Sequence, residues 1–312
     1  MTLNVAIDNF LQALELERGR SLKTVESYAH YLRRLAEWLE GRGINDAGNL
    51  TEEHVLQYRQ YLNRLTGLDG KTLAKNTQNY HIIALRSLLR YLNKKGEDTI
   101  SPDRIDLAKQ GDRTVHFLEP HELTLLLQTP DQSSDMGLRD LSIMHTLFST
   151  GLRVSELASL NRDQINLDRG EFTVLGKGRK ERLVFLSDDA RRYLADYFKT
   201  RADSDPAVFI RYKDPLKEDN ADKKRSLRLT PRSIERIVAA YAKKAGITKV
   251  VTPHTLRHSF ATDLLMNGAN IRDVQAMLGH ASLNTTQIYT HVTNQHLKDV
   301  HAAFHGRKKS EE

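Results

Sequence analysis

The sequence predicts a mainly α-helical protein made of two helical domains, the second of which carries one small β-hairpin. Most apolar residues recur at the three- and four-residue spacing of amphipathic helices. Capping residues and glycines bracket those periodic stretches, so helix ends can be placed as well. Two short runs with β character, 171–175 and 182–186, flank a basic tip that contains glycine and predict the hairpin.

The first domain is predicted to span residues 1–96 and to contain four helices. Apolar spacing and capping residues place them at 4–18, 21–40, 51–65 and 75–94. Their leucines and aromatic residues are interpreted as a hydrophobic core. Basic residues on the outside of the second and fourth helices, among them Arg86 and Arg90, fit a solvated face and a phosphate-facing surface equally well.

Residues 97–117 contain a proline, a glycine and alternating charges without clear periodicity, and we interpret them as an interdomain linker. The second domain then spans 118–312. The charged stretch 211–229 within it is predicted to be a mobile loop. Helices of this domain are predicted at 120–128, 140–150, from 153 onward, 187–200, 230–246, 252–267, 270–280, from 282 onward and 294–304.

Composition narrows the class of protein. The chain has 312 residues and no cysteine, which excludes a disulfide framework and thiolate metal sites. No apolar run is long enough for a membrane span and the N-terminus lacks a signal-peptide pattern, so we expect a cytoplasmic protein without a membrane partner. The net charge of +7 and the pI near 9.4 favour a polyanionic partner, although such an excess is common in proteins that bind no nucleic acid.

The residues most indicative of function lie in the last third of the chain. A threonine–proline pair at 252–253 predicts the start of a helix on which His254 and Arg257 share one face. A polyanion at this helix end would meet backbone N–H groups, a guanidinium and an imidazole together. His280 and Tyr289 follow downstream. This order suggests phosphoryl transfer with a tyrosine nucleophile, and taken alone it is only a suggestion.

Two further positions are candidates for phosphate contact. Arg153 is predicted in the first turn of a helix, where a cation is electrostatically disfavoured and should have a partner. That partner is either a bound anion or Glu156, one turn on, in an ordinary surface pair. Lys177 lies in the basic hairpin tip with Arg179 and Lys180. The tip is either a solvated turn or a DNA-groove element with Lys177 on the backbone phosphate, and it lacks the ending of a Walker-type loop.

With these pieces placed, the chain resembles the tyrosine recombinases of the phage integrase family, and it is most similar to the Xer type. The resemblance covers nearly the whole chain and implies a small helical, SAM-like core-binding DNA-binding domain followed by a mostly α catalytic domain. Each motif is weak alone, but their order and their agreement with the predicted elements are specific. The motif stretches are 149–157, 176–183, 254–262, 278–280 and 289–291.

The resemblance implies a catalytic set of six residues. They are Arg153, Lys177, His254, Arg257, His280 and Tyr289. The two arginines would bind phosphate oxygens in place of metal ions, so neither a metal nor a cofactor is expected. Tyr289 would attack phosphorus to give a 3′-phosphotyrosyl linkage, with His254 as general base and Lys177 as proton donor to the 5′-oxygen.

Two side chains would support this chemistry. His280 would hydrogen-bond a nonbridging oxygen, and Glu156 would orient the guanidinium of Arg153. A phenol whose pKa is about 10 is roughly 0.1% ionised at pH 7, so forming the phenolate outright costs roughly 4 kcal/mol. The cationic pocket and the general base would have to supply most of that free energy.

The resemblance also implies how the protein would act on DNA. A homo- or hetero-tetramer with a related recombinase would exchange strands between two double-stranded recombination sites through a Holliday junction. Arg86, Arg90, Arg179 and Lys180 are tentative DNA contacts, and the predicted helix 294–304 would pack onto a neighbouring protomer. Chromosome-dimer resolution in chromosome partition and cell division, with a DNA translocase as a further partner, is the expected role. Mobile-element integration, a topoisomerase and a non-catalytic DNA-binding protein stay open as alternatives.

Overall fold

The mainly α fold predicted from the sequence is confirmed. The structure is a computed structural model, and outside its helices the only paired strands among the described residues form one two-stranded sheet and a few isolated bridges. Lys177, Arg179, His280 and Tyr289 lie outside the described residues, as do the helices predicted from 282 onward. The structure describes residues 1–67, 70–109, 116–176, 180–212 and 226–279.

The N-terminal unit, Met1–Asp112, has its own hydrophobic core. Ser21 begins the second helix by accepting a hydrogen bond from the backbone N–H of Thr24, and Thr51 does the same for His54 at the third. Aromatic and leucine side chains from all four helices fill the core, as the apolar spacing predicts. The helices are α1 (Leu3–Leu16), α2 (Leu22–Glu40), α3 (Glu52–Arg64) and α4 (Lys75–Lys94).

The segment that follows α4 packs against this same unit. It forms a short 3₁₀ turn at Pro102–Arg104, and the side chain of Ile105 enters the N-terminal core. The amide of Asn79 exchanges two hydrogen bonds with the backbone of Ala108, at 2.9 and 3.0 Å. Residues 97–109 therefore belong structurally with the first unit, and the linker role assigned to 97–117 stays a prediction.

The second unit, Arg113–Glu312, is organised around a central helix, α6. This helix packs against α8 and α10, and its buried face supplies Ile143, Met144 and Leu147 to the core. The helices of this unit are α5 (Pro120–Gln128), α6 (Asp135–Thr150), α7 (Val154–Ser159), α8 (Asp188–Lys199), α9 (Pro231–Lys244), α10 (Pro253–Met266) and α11 (Ile271–Leu278).

The start of α6 differs from the sequence prediction. The helix begins five residues before the predicted Asp140, because the hydroxyl of Ser134 accepts a hydrogen bond from the N–H of Gly137 and caps it. The first turn carries little apolar periodicity, so the spacing signal begins later than the helix does. None of the described helices is long and apolar enough to cross a membrane.

The predicted β-hairpin is present as two antiparallel strands, β1 (Glu171–Leu175) and β2 (Glu181–Phe185). The second strand lies one residue earlier than predicted. Alternation along the strands buries Phe172 and Val174 from β1 and Val184 from β2. Arg182 lies two residues from Val184 and so points to the same inner face.

The two ends of the charged stretch 211–229 are held together. The N–H of Arg211 donates to the carbonyl of Leu227 at 2.8 Å, and Leu229 is buried. The guanidinium of Arg228 donates to the carbonyls of Ala158 and Leu160 at the end of α7. Residues 213–225 of this stretch, all of which was predicted to be a mobile loop, lie outside the described residues.

Candidate active site

The helix that carries His254 and Arg257 begins where the sequence predicts. The hydroxyl of Thr252 accepts a hydrogen bond from the N–H of Thr255 at 3.2 Å, and Pro253 is the first helical residue of α10. His254 lies on the exposed side of this first turn, whereas Arg257 is 4% exposed. The guanidinium of Arg257 therefore needs partners inside the protein.

Arg257 finds such partners at the ends of two other helices. Its Nη1 donates to the carbonyl of Gly151, which ends α6, and its Nη2 donates at 2.6 Å to the carbonyl of Leu278, which ends α11. Carbonyl groups at helix C-termini carry partial negative charge and suit a cation. These two hydrogen bonds fix the orientation of the guanidinium.

Arg153 lies one position earlier in its helix than predicted. It is the N-cap of α7 with an extended backbone, so the expectation of a first-turn residue is wrong. The reason is Glu156, whose carboxylate accepts the backbone N–H of Arg153 at 2.8 Å and Nη1 of the same residue at 2.9 Å. A carboxylate at this third position satisfies the helix start and the guanidinium together. The Nη2 atom lies 3.4 Å from the carbonyl oxygen of Gly279.

Glu156 is shared with a second arginine that the sequence analysis missed. Nη1 and Nη2 of Arg182 donate to Oε1 and Oε2 of Glu156 at 3.0 and 2.7 Å. Burial alone would raise the pKa of Glu156, but hydrogen bonds from Arg182 and Arg153 outweigh it and lower the pKa to about 2. The signal that could have found Arg182 is strand alternation, since it shares the inner face of β2 with Val184.

The imidazole of His254 lies within electrostatic reach of both candidate arginines. Although part of its side chain reaches solvent, desolvation by the surrounding protein lowers its pKa below the ordinary value, and the charges of Arg257 and Arg153 lower it further. Burial lowers the pKa of the neighbouring His258 to about 4, and the nearby His254 and Arg257 contribute to this shift. Neutral imidazole is the form that can accept a proton at neutral pH.

The structure thus brings Arg153, His254 and Arg257 together, with Glu156 behind the first of them. Two oriented guanidinium groups can bind the oxygens of a phosphate, and a neutral imidazole beside them can accept a proton from a nucleophile. Within the described ranges, no group of three His, Asp or Glu side chains could hold a metal ion. The chemistry available from these residues is anion binding and proton transfer.

Three of the six predicted catalytic residues, Lys177, His280 and Tyr289, lie outside the described ranges. The residue before His280 is described: Gly279 contacts both Arg153 and Arg182. The catalytic roles of all six residues stay predictions.

The tentative DNA contacts are also only partly described. Arg86 and Arg90 lie on α4 with their guanidinium groups 3.8 and 4.0 Å from the carboxylate of Asp103. Lys180 is exposed at the base of the hairpin, where its carbonyl accepts the N–H of Gly176. Their contact with DNA stays a prediction.

Comparison with known protein families matches both units of the chain. Residues 7–96 match the Phage integrase N-terminal SAM-like domain, and residues 116–296 match the Phage integrase family. Tyrosine recombinase XerD of Listeria monocytogenes serotype 4b is 37% identical over 308 residues, covering 98% of this chain and 100% of that protein. Tyrosine recombinase XerC of Proteus mirabilis is 36% identical, covering 99% of this chain and 96% of that protein.

Solved structures show the same fold. The crystal structure of XerA recombinase is 27% identical with a TM-score of 0.52, and the match covers 98% of this chain and 100% of that one. A lambda integrase dimer bound to a COC′ core site aligns with a TM-score of 0.70 over 100% of this chain and 99% of that one. Its identity is 17%, so this second likeness concerns the fold alone.

Proposed function

The chain belongs to the phage integrase family and is a site-specific tyrosine recombinase that cleaves and rejoins DNA, and from that premise we propose that it resolves chromosome dimers in the manner of Xer recombinases. The observation that carries the site assignment is the convergence of Arg153, His254 and Arg257. The arginines are oriented by Glu156 and by helix-end carbonyls.

The first chemical step is attack of the Tyr289 hydroxyl on a phosphodiester. A bond forms between the phenolic oxygen and phosphorus, and the bond from phosphorus to the 5′-oxygen breaks. His254 takes the phenolic proton, and Lys177 gives a proton to the departing 5′-oxygen. The DNA keeps a 3′-phosphotyrosyl linkage, whose bond energy is available for rejoining.

The negative charge that develops on the phosphate explains why two arginines lie at this site. The transition state concentrates negative charge on the nonbridging oxygens, and Arg153 and Arg257 supply fixed positive charge to them. His280 adds a hydrogen bond to one of the same oxygens. Because Arg153 and Arg257 are already oriented in the protein, little reorganisation of these two groups accompanies the reaction.

Rejoining reverses the first step with a different DNA end. The 5′-hydroxyl of the partner strand attacks the phosphotyrosyl phosphorus and releases Tyr289, so each exchange consumes no ATP. Two pairs of protomers acting in turn would produce and then resolve a Holliday junction. A tetramer, in which the predicted helix 294–304 packs onto a neighbouring protomer, is part of this proposal.

Relatives named XerC and XerD match the chain at similar identity, which supports a second recombinase as a partner. A DNA translocase that brings the two sites together is a further partner in the proposal. Chromosomal DNA as the substrate places the protein in the cytoplasm, with roles in chromosome partition and cell division.

The proposal is tested with a supercoiled plasmid that carries two direct repeats of the host's candidate chromosomal site. The protein, with and without the second recombinase of the same host, should resolve it into two smaller circles. Arg257→Ala is the matched inactive control, and a plasmid with scrambled sites should give no product. Resolution only at attachment sites of a mobile element would favour an integrase, and relaxation of the scrambled plasmid would favour a topoisomerase.

A further inference from the structure

Arg182 contacts two separate parts of the candidate active site from its place on β2. Its Nη1 and Nη2 donate to the two carboxylate oxygens of Glu156, and its Nε donates at 3.1 Å to the carbonyl of Met277 near the end of α11. Its side chain is 10% exposed. We infer that Arg182 is a positioning residue for strand cleavage, which fixes the carboxylate that orients Arg153; this inference rests on the proposed function.

The pattern of hydrogen bonds explains how Arg182 would act on Arg153. Oε1 of Glu156 accepts from Nη1 of Arg153 and from Nη1 of Arg182, and Oε2 accepts from the backbone N–H of Arg153 and from Nη2 of Arg182. Each carboxylate oxygen is therefore held from both sides. The planar guanidinium fork holds both oxygens at once, so the carboxylate cannot rotate without breaking bonds to Arg182.

The second contact links Arg182 to the chain that leads into His280. Its side chain lies so close to Gly279 that a Cβ atom there would stand 3.1 Å from Cδ of Arg182. Gly279 in turn has its carbonyl 3.4 Å from Nη2 of Arg153. One side chain thus fixes the hairpin, the Arg153–Glu156 pair and the end of α11 relative to one another.

A purely stabilising role explains these contacts less well. Removing two charges from water costs desolvation free energy, and their mutual attraction often does no more than compensate for it. A buried ion pair is therefore weak evidence for stability. Leucine or methionine would fill the inner face of β2 without that penalty. What the apolar side chain could not do is hold both oxygens of the carboxylate that positions Arg153.

The experiment measures single-turnover formation of the covalent adduct on a nicked duplex carrying the recombination site. DNA affinity is measured separately by fluorescence anisotropy. Arg182→Met should slow adduct formation about 100-fold, the cost of a misplacement of the order of 1 Å in a catalytic group, with DNA affinity unchanged. Arg182→Lys should slow adduct formation about 10-fold, because lysine keeps the positive charge but lacks the planar guanidinium that holds both carboxylate oxygens.

A matched control comes from the turn that precedes β1. Arg169 pairs with Glu171 on β1 at 3.7 Å, but its side chain is 75% exposed, and within the described ranges it contacts none of the site residues named above. Arg169→Met should cleave at the wild-type rate. Circular dichroism and thermal melting identify a variant that fails to fold. If Arg182→Met fails to fold, the rate of adduct formation by Arg182→Lys tests the inference instead.

The pH profile separates positioning from a general structural effect. Without Arg182 the buried Glu156 loses hydrogen bonds that lower its pKa, so it takes up a proton at higher pH and releases its hold on Arg153. Adduct formation by Arg182→Met should therefore show a second acid limb, in addition to the one that protonation of His254 gives the wild type. Adding Glu156→Gln to that variant should remove this additional acid limb.

Three results would overturn the inference. These are cleavage by Arg182→Met at the rate of Arg169→Met, full activity of Arg182→Lys, or an additional acid limb that survives Glu156→Gln. Failure of the proposed function looks different. In that case the wild type itself forms no adduct, or Tyr289→Phe forms one as well.

Discussion

Replacing Gly151 with alanine should destabilise the second unit far more than an ordinary glycine substitution at a helix end. Gly151 ends α6 with φ of 59°, and a Cβ atom there would lie 2.5 Å from Cδ1 of Phe260 and 2.9 Å from Cδ2 of Leu278. Its carbonyl also accepts a hydrogen bond from Arg257. The substitution therefore strains the backbone, overpacks a well-filled contact and displaces an acceptor of the candidate site.

The magnitude follows from the two costs. A left-handed conformation costs an alanine about 1–2 kcal/mol, and overpacking of this kind costs about 1–3 kcal/mol, so the total loss is roughly 2–5 kcal/mol. Gly246 is the matched control, because it follows α9 at φ of 75° and no described atom lies within 4 Å of the place that an alanine Cβ would take. Gly246→Ala incurs only the conformational cost, and the entropic gain from the unfolded chain is shared by both variants.

The assay is urea unfolding of both variants, followed by a signal from the second unit, since both glycines lie in it. The expected difference between them is about 2 kcal/mol, from the overpacking cost alone. Gly151→Ala should also slow strand cleavage because Arg257 loses a properly placed acceptor, whereas Gly246→Ala should not. Equal losses of stability in the two variants would refute the packing argument, and normal cleavage by Gly151→Ala would refute the link to Arg257.

Three further predictions follow from the charges of the site and of α4. The pKa of Glu156 is lowered to about 2 in the folded protein, from about 4.5 in the unfolded chain. The ionised carboxylate therefore contributes its full stabilisation above about pH 4.5, and this contribution is lost as the pH falls toward 2. The difference in unfolding free energy between wild type and Glu156→Gln should narrow across that pH range. The pKa of His254 is lowered, so the cleavage rate should fall only at a pH below its ordinary value of about 6.5, and His254→Ala should slow cleavage about 10²–10⁴-fold at neutral pH. If Arg86 and Arg90 contact backbone phosphates, replacing each with alanine should reduce the salt dependence of DNA binding by about one unit of slope, whereas Asp103→Asn, which removes the carboxylate 3.8 and 4.0 Å from them, should strengthen binding. Unchanged slopes, or an acid limb above pH 6.5, would count against these assignments.

Local signals in the sequence were sufficient for most helix positions. Thr51 and Thr252 cap their helices as predicted, because an N-cap depends on a side chain and a backbone N–H only a few residues apart. The first turn of α6 was not predicted, because the apolar spacing begins only after it. The predicted position of Arg153 in its helix is wrong by one residue, because arginine is not a usual N-cap residue. Its backbone N–H donates a hydrogen bond to the carboxylate of Glu156 instead.

The arrangement of the candidate site was only partly accessible from the sequence. The spacing of His254 and Arg257 along one helix predicted a shared face, and the structure places both with Arg153. The role of Arg182 depends on Glu156, which lies 26 positions away in the sequence, and on a carbonyl of α11 that no side-chain pattern reveals. Backbone acceptors such as that of Gly151 are invisible to motif reasoning for the same reason.

The central claim is that Tyr289 is the nucleophile of a metal-independent site built on Arg153, His254 and Arg257. The most direct measurement incubates wild type and Tyr289→Phe, in EDTA, with a nicked duplex that carries the recombination site. A denaturing gel then shows whether protein becomes covalently joined to a 3′ end. The account predicts an adduct with the wild type only. An adduct with Tyr289→Phe would move the nucleophile to another residue, and a wild type that binds this DNA tightly without forming an adduct would contradict the proposed chemistry.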